Sequence, residues 1–240
     1  MNMIMTNPKE KRTGIRNHAA TQNRQQMSRP VLRFLLLCLG LSIMAFGVAF
    51  SIKADLGISP ISTVPYVTSV ISGLSVGTTT IIMNFLFVLI QIAILRKQYD
   101  WFQLLQFPAA VVFGTMIDVA EDLLRGLPVP DYGSAWLFCI FGIVLIAFGI
   151  SVEVTANLVT TAGEGIVLAI CQIAPVQFGN MKMIFDITLV CISLVLSLLF
   201  LGHVEGVREG TLAAMIFVGQ VTKVTNRMVN QVGKVLPDRA

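Results

Sequence analysis

Charge is scarce in this 240-residue sequence. Asp, Glu, Lys and Arg together make up 12% of it, about half the share of an ordinary soluble domain. With 55% hydrophobic residues, that scarcity excludes both a soluble globular protein and a disordered chain. Cysteine is scarce as well. Cys38, Cys139, Cys171 and Cys191 all lie in apolar stretches, no CxxC occurs, and His18 and His203 lie far from all four. The spacing suits neither a disulfide scaffold nor a zinc centre nor a redox pair, so the thiols read as small apolar packing residues. No P-loop, GxSxG, HExxH or dinucleotide-binding glycine pattern is present. The chain is therefore expected to be neither an enzyme nor, by itself, an ATP-driven machine, and to carry no metal or cofactor.

What the sequence does have is long apolar runs. Six are expected to cross a bilayer: Phe34 to Ile52, Thr78 to Leu95, Phe102 to Val119, Trp136 to Val152, Met183 to Leu201 and, weakest, Thr211 to Val224. A crossing takes about 20 apolar residues. The class is thus an all-α, polytopic membrane helical bundle, with the lipid bilayer as its first partner. Residues 1–32 are polar and basic and read as a disordered cytoplasmic tail, not as a nucleic-acid-binding arm, because a span follows directly. Residues 230–240 read as a second cytoplasmic tail. With the N-terminus inside and six spans, 14 of the 17 Lys and Arg residues fall on the inner side, which places both termini in the cytoplasm.

The membrane region divides into two alike parts, residues 33–125 and 135–229. Residues 33–95 align with 135–197 at a constant offset of 102 without a gap. The shared Ala45-Phe46-Gly47 and Ala147-Phe148-Gly149 triplets and the pair Gly40 and Gly142 carry the match. The likeness resumes after a three-residue shift at Phe113-Gly114 and Val218-Gly219. Three spans per part, an odd number, would make the second part enter the membrane from the opposite side, the inverted-repeat arrangement of many secondary transporters, whereas four spans per part would make the two parts parallel. Gly40, Gly47, Gly142 and Gly149 are expected on helix–helix contacts, since close packing drives association in lipid. So is the Ala45-x-x-x-Ala49 face, which would let a partner helix approach.

Between the first two spans of each part lies a segment too short to cross. Each opens with breakers: Gly57, Pro60 and Pro65 in the first, Gly163 and Gly165 in the second. Unpaired backbone at membrane depth is tolerated only inside protein or beside a wet cavity. Both segments therefore read as re-entrant short helices with their N-termini facing the interior, where a helix end suits an anion.

At these residues the chain resembles the YczE/YyaS/YitT-type family of bacterial inner-membrane proteins. The resemblance rests on Leu39-Gly-Leu, Phe46-Gly-Val-Ala, Ile52-Lys-Ala-Asp-Leu-Gly-Ile-Ser-Pro and Ser72-Gly-Leu-Ser-Val-Gly77, and it spans roughly residues 33–225. In the second part Leu158-Val-Thr-Thr-Ala stands where the first has Leu56-Gly-Ile-Ser-Pro. The resemblance implies a multi-pass protein of the bacterial cytoplasmic (inner) membrane whose biochemical role is not established.

Ionisable groups inside a bilayer are costly and call for a reason. Asp186 lies in the fifth span, with Lys182 one turn earlier as a ready ion-pair partner and Asn84 at the matching position of the first part. Asp118, Glu153 and Lys53 sit at span ends, where charge is cheap. Asp55, Ser59, Pro60, Asn84, Glu164 and Asp186 would converge into one polar ligand site if the two parts pack as inverted halves. The function this suggests is a secondary transporter or carrier for a small polar or anionic solute. A substrate-capture subunit of a larger transporter and an accessory or regulatory membrane protein are the alternatives, with a second copy or a partner membrane subunit as possible company.

Overall fold

The computed structural model describes residues 30–235, and among them every regular element is helical. The helices are α1 (Pro30–Ala54), α2 (Pro60–Ser72), α3 (Val76–Leu95), α4 (Gln106–Leu124), α5 (Tyr132–Ala156), α6 (Ala162–Ile173), α7 (Phe178–Phe200) and α8 (Glu209–Val235). Short 3-10 turns at Arg96–Gln98 and Trp101–Leu105 join α3 to α4. The basic N-terminal tail lies outside the described residues, apart from its last three, which form the start of α1 behind Pro30. Proline is well suited to a first helical turn, whose N–H would be unpaired anyway. The C-terminal tail lies outside from residue 236 onward; before that, α8 continues through it to Val235.

Five helical stretches are long and apolar enough to cross a membrane: Leu32–Ala54, Val76–Gln98, Trp101–Leu124, Tyr132–Ala156 and Phe178–Phe200. The expected sixth span falls on α8. That helix has 27 residues, ample length, but it carries Glu209, Gln220, Lys223 and Arg227 and is not among the five. The expected span limits also move. α7 begins five residues before Met183, so Lys182 lies about one turn and Asp186 about two turns inside a helix. α4 runs on to Leu124, drawing Asp118, Glu121 and Asp122 into its last turns.

Breaks between helices fall where backbone chemistry demands them. α2 starts at Pro60 and ends at Gly73, which takes a left-handed φ of 73° and returns its N–H to Ser69. Ser75 caps α3 through its side chain, and an Asp131–Ser134 capping box starts α5. Asn157 closes α5 with a left-handed φ of 46°.

α1 and α5 form the centre, half of each being buried against 17% of α7. They touch backbone to backbone. A methyl group on Gly40 would sit 2.9 Å from the amide of Glu153 and 3.0 Å from the carbonyl of Gly149. One on Gly47 would sit 2.7 Å from the amide of Ile146 and 2.8 Å from the carbonyl of Gly142. As numbers rise along one helix they fall along the other, so α1 and α5 run antiparallel. Ala45 and Ala49 are also buried inside the chain. The small-residue face expected to receive a partner helix is thus filled from within.

Each central helix has a parallel companion. Along α1, Leu37 and Leu41 pack with Ala109 and Phe113 of α4, Ala49 packs with Ala120 and Leu124, and Lys53 Nζ donates to Arg125 O at 3.0 Å. Along α5, Gly210 of α8 lies against Cys139, and Thr225 Oγ1 reaches Ser151 and Ala147. The short helices cross over: α2 packs on α7, and α6 packs on α3.

Candidate functional site

The N-terminal ends of α2 and α6, the middles of α1, α5 and α8, and α3 and α7 surround a cavity of about 310 Å³. Of the six residues expected to form a ligand site, five line it: Ser59, Pro60, Asn84, Glu164 and Asp186. Asp55 does not. It stands in a left-handed turn (φ 51°) at the protein surface, where Arg208 Nη1 donates to its carbonyl at 2.7 Å and lies 3.6 Å from its carboxylate. The turn around it docks on the loop before α8, through Ile58 N to Gly206 O at 3.2 Å and Gly210 N to Leu56 O at 2.6 Å. Gly57 fits there because its φ is 93° and because a methyl group would meet the Arg208 amide at 2.6 Å. The Asp-Leu-Gly part of the motif is therefore a docking turn, while its Ser59-Pro60 end reaches the cavity.

The cavity wall is built from positions 102 apart. Met44 and Ile146, Val48 and Ile150, Ser59 and Thr161, Ser62 and Glu164, Thr80 and Lys182, and Asn84 and Asp186 all line it. Phe113 and Val218, matched in the shifted register, line it too. The shapes correspond and the charges do not. Where the first part offers Ser62, Thr80 and Asn84, the second offers Glu164, Lys182 and Asp186. Lys182 Nζ donates to Asp186 Oδ1 in an ion pair one helical turn long. Asn84 is held by a 2.8 Å bond from its amide to Thr80 O. No hydrogen bond or ion pair ties down Glu164 among the described residues.

Two carboxylates at span ends act on the backbone of neighbouring helices. Glu153, only 4% exposed, accepts the Thr161 amide at 2.7 Å and so meets the N-terminal end of α6. Asp118 accepts the Gly77 amide and the Ser75 hydroxyl, each at 2.7 Å, at the N-terminal end of α3. A carboxylate beside a helix N-terminus satisfies donors that the helix leaves free and complements its dipole. Gln91 was not singled out by the sequence, yet it is wholly buried. Its amide donates to Gln106 Oε1 at 3.0 Å and to Ala162 O at 2.9 Å, tying α3 to α4 and to the start of α6. The polar residue in an apolar span was visible; its partners, 15 and 71 residues away, were not.

The matched glycine pairs differ in their contacts. α3 and α4 touch at Gly77 and Gly114, where a methyl group on Gly77 would overlap the Gly114 carbonyl. The matching glycines of α7 and α8 are Gly179 and Gly219. Neither has any described atom within 4 Å of where its methyl group would lie, and Gly219 lines the cavity.

The sequence model of one protein family, described as a family of unknown function (DUF6198), matches residues 31–227. Neither the curated proteins nor the solved structures contain a significant match.

Proposed function

As the chain belongs to a family of unknown function, DUF6198, its role must be read from its site, and we propose that it is a secondary carrier that binds a small polar solute in the central cavity. The two parts of the chain are inverted repeats, and α2 and α6, with 13 and 12 residues, are the re-entrant helices within them. The antiparallel contact of α1 with α5 supports this reading: matching helices that run in opposite directions are related by an axis lying in the membrane plane. The family likeness to the YczE type fits it as well. The protein resides in the bacterial cytoplasmic membrane with both termini inside and carries out no chemical reaction.

The single observation that carries the proposal is the unequal closure of matched ends. A cavity on a pseudo-two-fold axis has two equivalent exits. We take the Gly77–Gly114 contact to close one of them, and the lack of such a contact at Gly179 and Gly219 to leave the other open. Exchanging these two states between the halves would expose the same site first to one side and then to the other, at little energetic difference, because the same kinds of contact are lost and gained. The orientation taken from the basic residues makes the open exit cytoplasmic.

Reconstitution tests it. Purified protein in liposomes, offered a defined mixture of small polar solutes, should by itself equilibrate at least one of them. Gly219→Trp should fold normally, having open space to enter, and should abolish that movement by filling the open exit. A wild-type protein that moves nothing unaided would overturn the carrier reading. If it retained a solute without releasing it, the capture-subunit reading would take its place.

A further inference from the structure

We infer that the solute of this cavity is a small organic cation, its positive charge held by Glu164; the inference rests on the carrier reading for the site but concerns what the site prefers. Three ionisable side chains line the cavity, Glu164, Lys182 and Asp186. Lys182 is committed to Asp186. Glu164 faces the cavity with no hydrogen-bond or ion-pair partner among the described residues. The site therefore carries one carboxylate more than it has cations to match, in surroundings where an unmatched charge is costly.

The helix ends by themselves suit an anion, but carboxylates already stand at the start of α6. The amide of Thr161 at the start of α6 is taken by Glu153 at 2.7 Å, and Glu164 itself lies in the first turn of that helix. At the start of α2, Pro60 has no N–H, and the Ser62 amide is bonded to Ser59 O at 2.8 Å. An anion would thus meet an excess carboxylate. A cation would meet its counter-charge.

The rest of the wall says what kind of cation. Met44, Phe87, Phe113, Ile146, Phe178 and Met215 make most of the lining apolar. A bare metal ion needs several converging oxygen or nitrogen ligands, and no group of three His, Cys, Asp or Glu residues among the described ones is placed to share a metal. An alkylated ammonium needs only one carboxylate, apolar contact for its substituents and aromatic faces for its charge. The matching position in the first part is Ser62, so the charge preference resides in the second part alone.

Three probes of like size and shape separate the possibilities: choline, its neutral carbon isostere and the branched carboxylate pivalate. Each is titrated against purified protein in detergent while the melting temperature is followed. Choline should raise the melting temperature saturably, and the isostere and pivalate should not. Glu164→Gln should melt no lower than wild type without probe but need about thirtyfold more choline or greater, the loss expected when one partner of a buried charge pair is removed. Stabilisation by pivalate, equal stabilisation by the isostere, or no response to choline would each overturn the inference. The wild-type comparison stands even if Glu164→Gln fails to fold. Choline that binds but does not cross proteoliposomes leaves the cation inference standing and sinks the carrier; pivalate that crosses does the reverse.

Discussion

Asp186 and Lys182 show how a costly residue finds its reason. An aspartate two turns inside an apolar helix would be unfavourable unpaired, and the lysine one turn earlier meets it. Their side chains keep 16% and 27% of their surface exposed to the cavity, so the pair is neither fully buried nor a surface pair. Asp186→Asn leaves Lys182 with only Glu164 among the cavity carboxylates. We expect it to lower stability by about 1–2 kcal/mol, less than the roughly 3–5 kcal/mol of a fully buried broken pair. Lys182→Gln added to it should restore much of the loss, since the charge that Asp186 matched is then gone. Melting temperatures of wild type, single and double variants in detergent decide the matter. An unchanged single variant would mean that Asp186 is not stabilised by Lys182 and is free for a proton or a cation.

At the scale of elements, the α1–α5 contact is the hinge of the architecture. Small residues there are not fillers: they let two backbones meet at a separation that a single methyl group would forbid. Gly47→Ala would bring its new carbon to 2.7 Å from the Ile146 amide, a backbone atom that cannot rotate away. Overpacking of this kind costs about 1–3 kcal/mol. Leu35→Ala, on the outward face of the same helix at 58% exposure, should cost little beside it. Folded yield and melting temperature after extraction measure both, and equal effects would contradict the contact. The two short helices depend on a different device. Glu153 anchors the start of α6 from the far end of α5, where its matching residue in α1 would be Ser51. That serine bonds to the carbonyl of Gly47 at 3.0 Å instead. The matched halves thus share a framework and differ in how their short helices are held.

For the whole molecule, the open question is whether α8 crosses. It is too polar to stand among the five apolar spans, but it lies along α5 from Cys139 to Ser151. Twelve residues of helix is about 18 Å of rise, over half of a roughly 30 Å hydrocarbon core. We expect α8 to span with its neighbour over that distance, with Gln220, Lys223 and Arg227 exposed towards its C-terminal end. Both termini then lie on one side. A reporter active only outside the cytoplasm, fused after Ala240, should be silent, and one active only inside should be bright. The opposite pattern would leave α8 on the surface and the C-terminus across the membrane from the N-terminus.

The membrane class, three of the five apolar spans to within four residues and the two short segments were legible in the sequence, because each is written in local quantities: apolar run length and breakers. The start of α7 was misread by five residues because Asn180 and Lys182 broke the apolar run, although the helix continues through them. The same locality explains what was not legible. Asp55 and Ser59 stand four residues apart in one motif, yet one reaches the surface and the other the cavity. Arg208, 153 residues from Asp55, settles where the turn docks. Glu153 and Asp118 looked like charges left cheaply at span ends; only the packing shows that each holds a helix start. Which of the matched glycine pairs is in contact depends on how α3 meets α4 and how α7 stands to α8, which no local run of residues encodes. Composition and periodicity determine what each helix must bury. The tertiary structure alone decides which helix supplies the burial, because in a bilayer the alternatives differ only in how closely backbones and a few polar groups can meet.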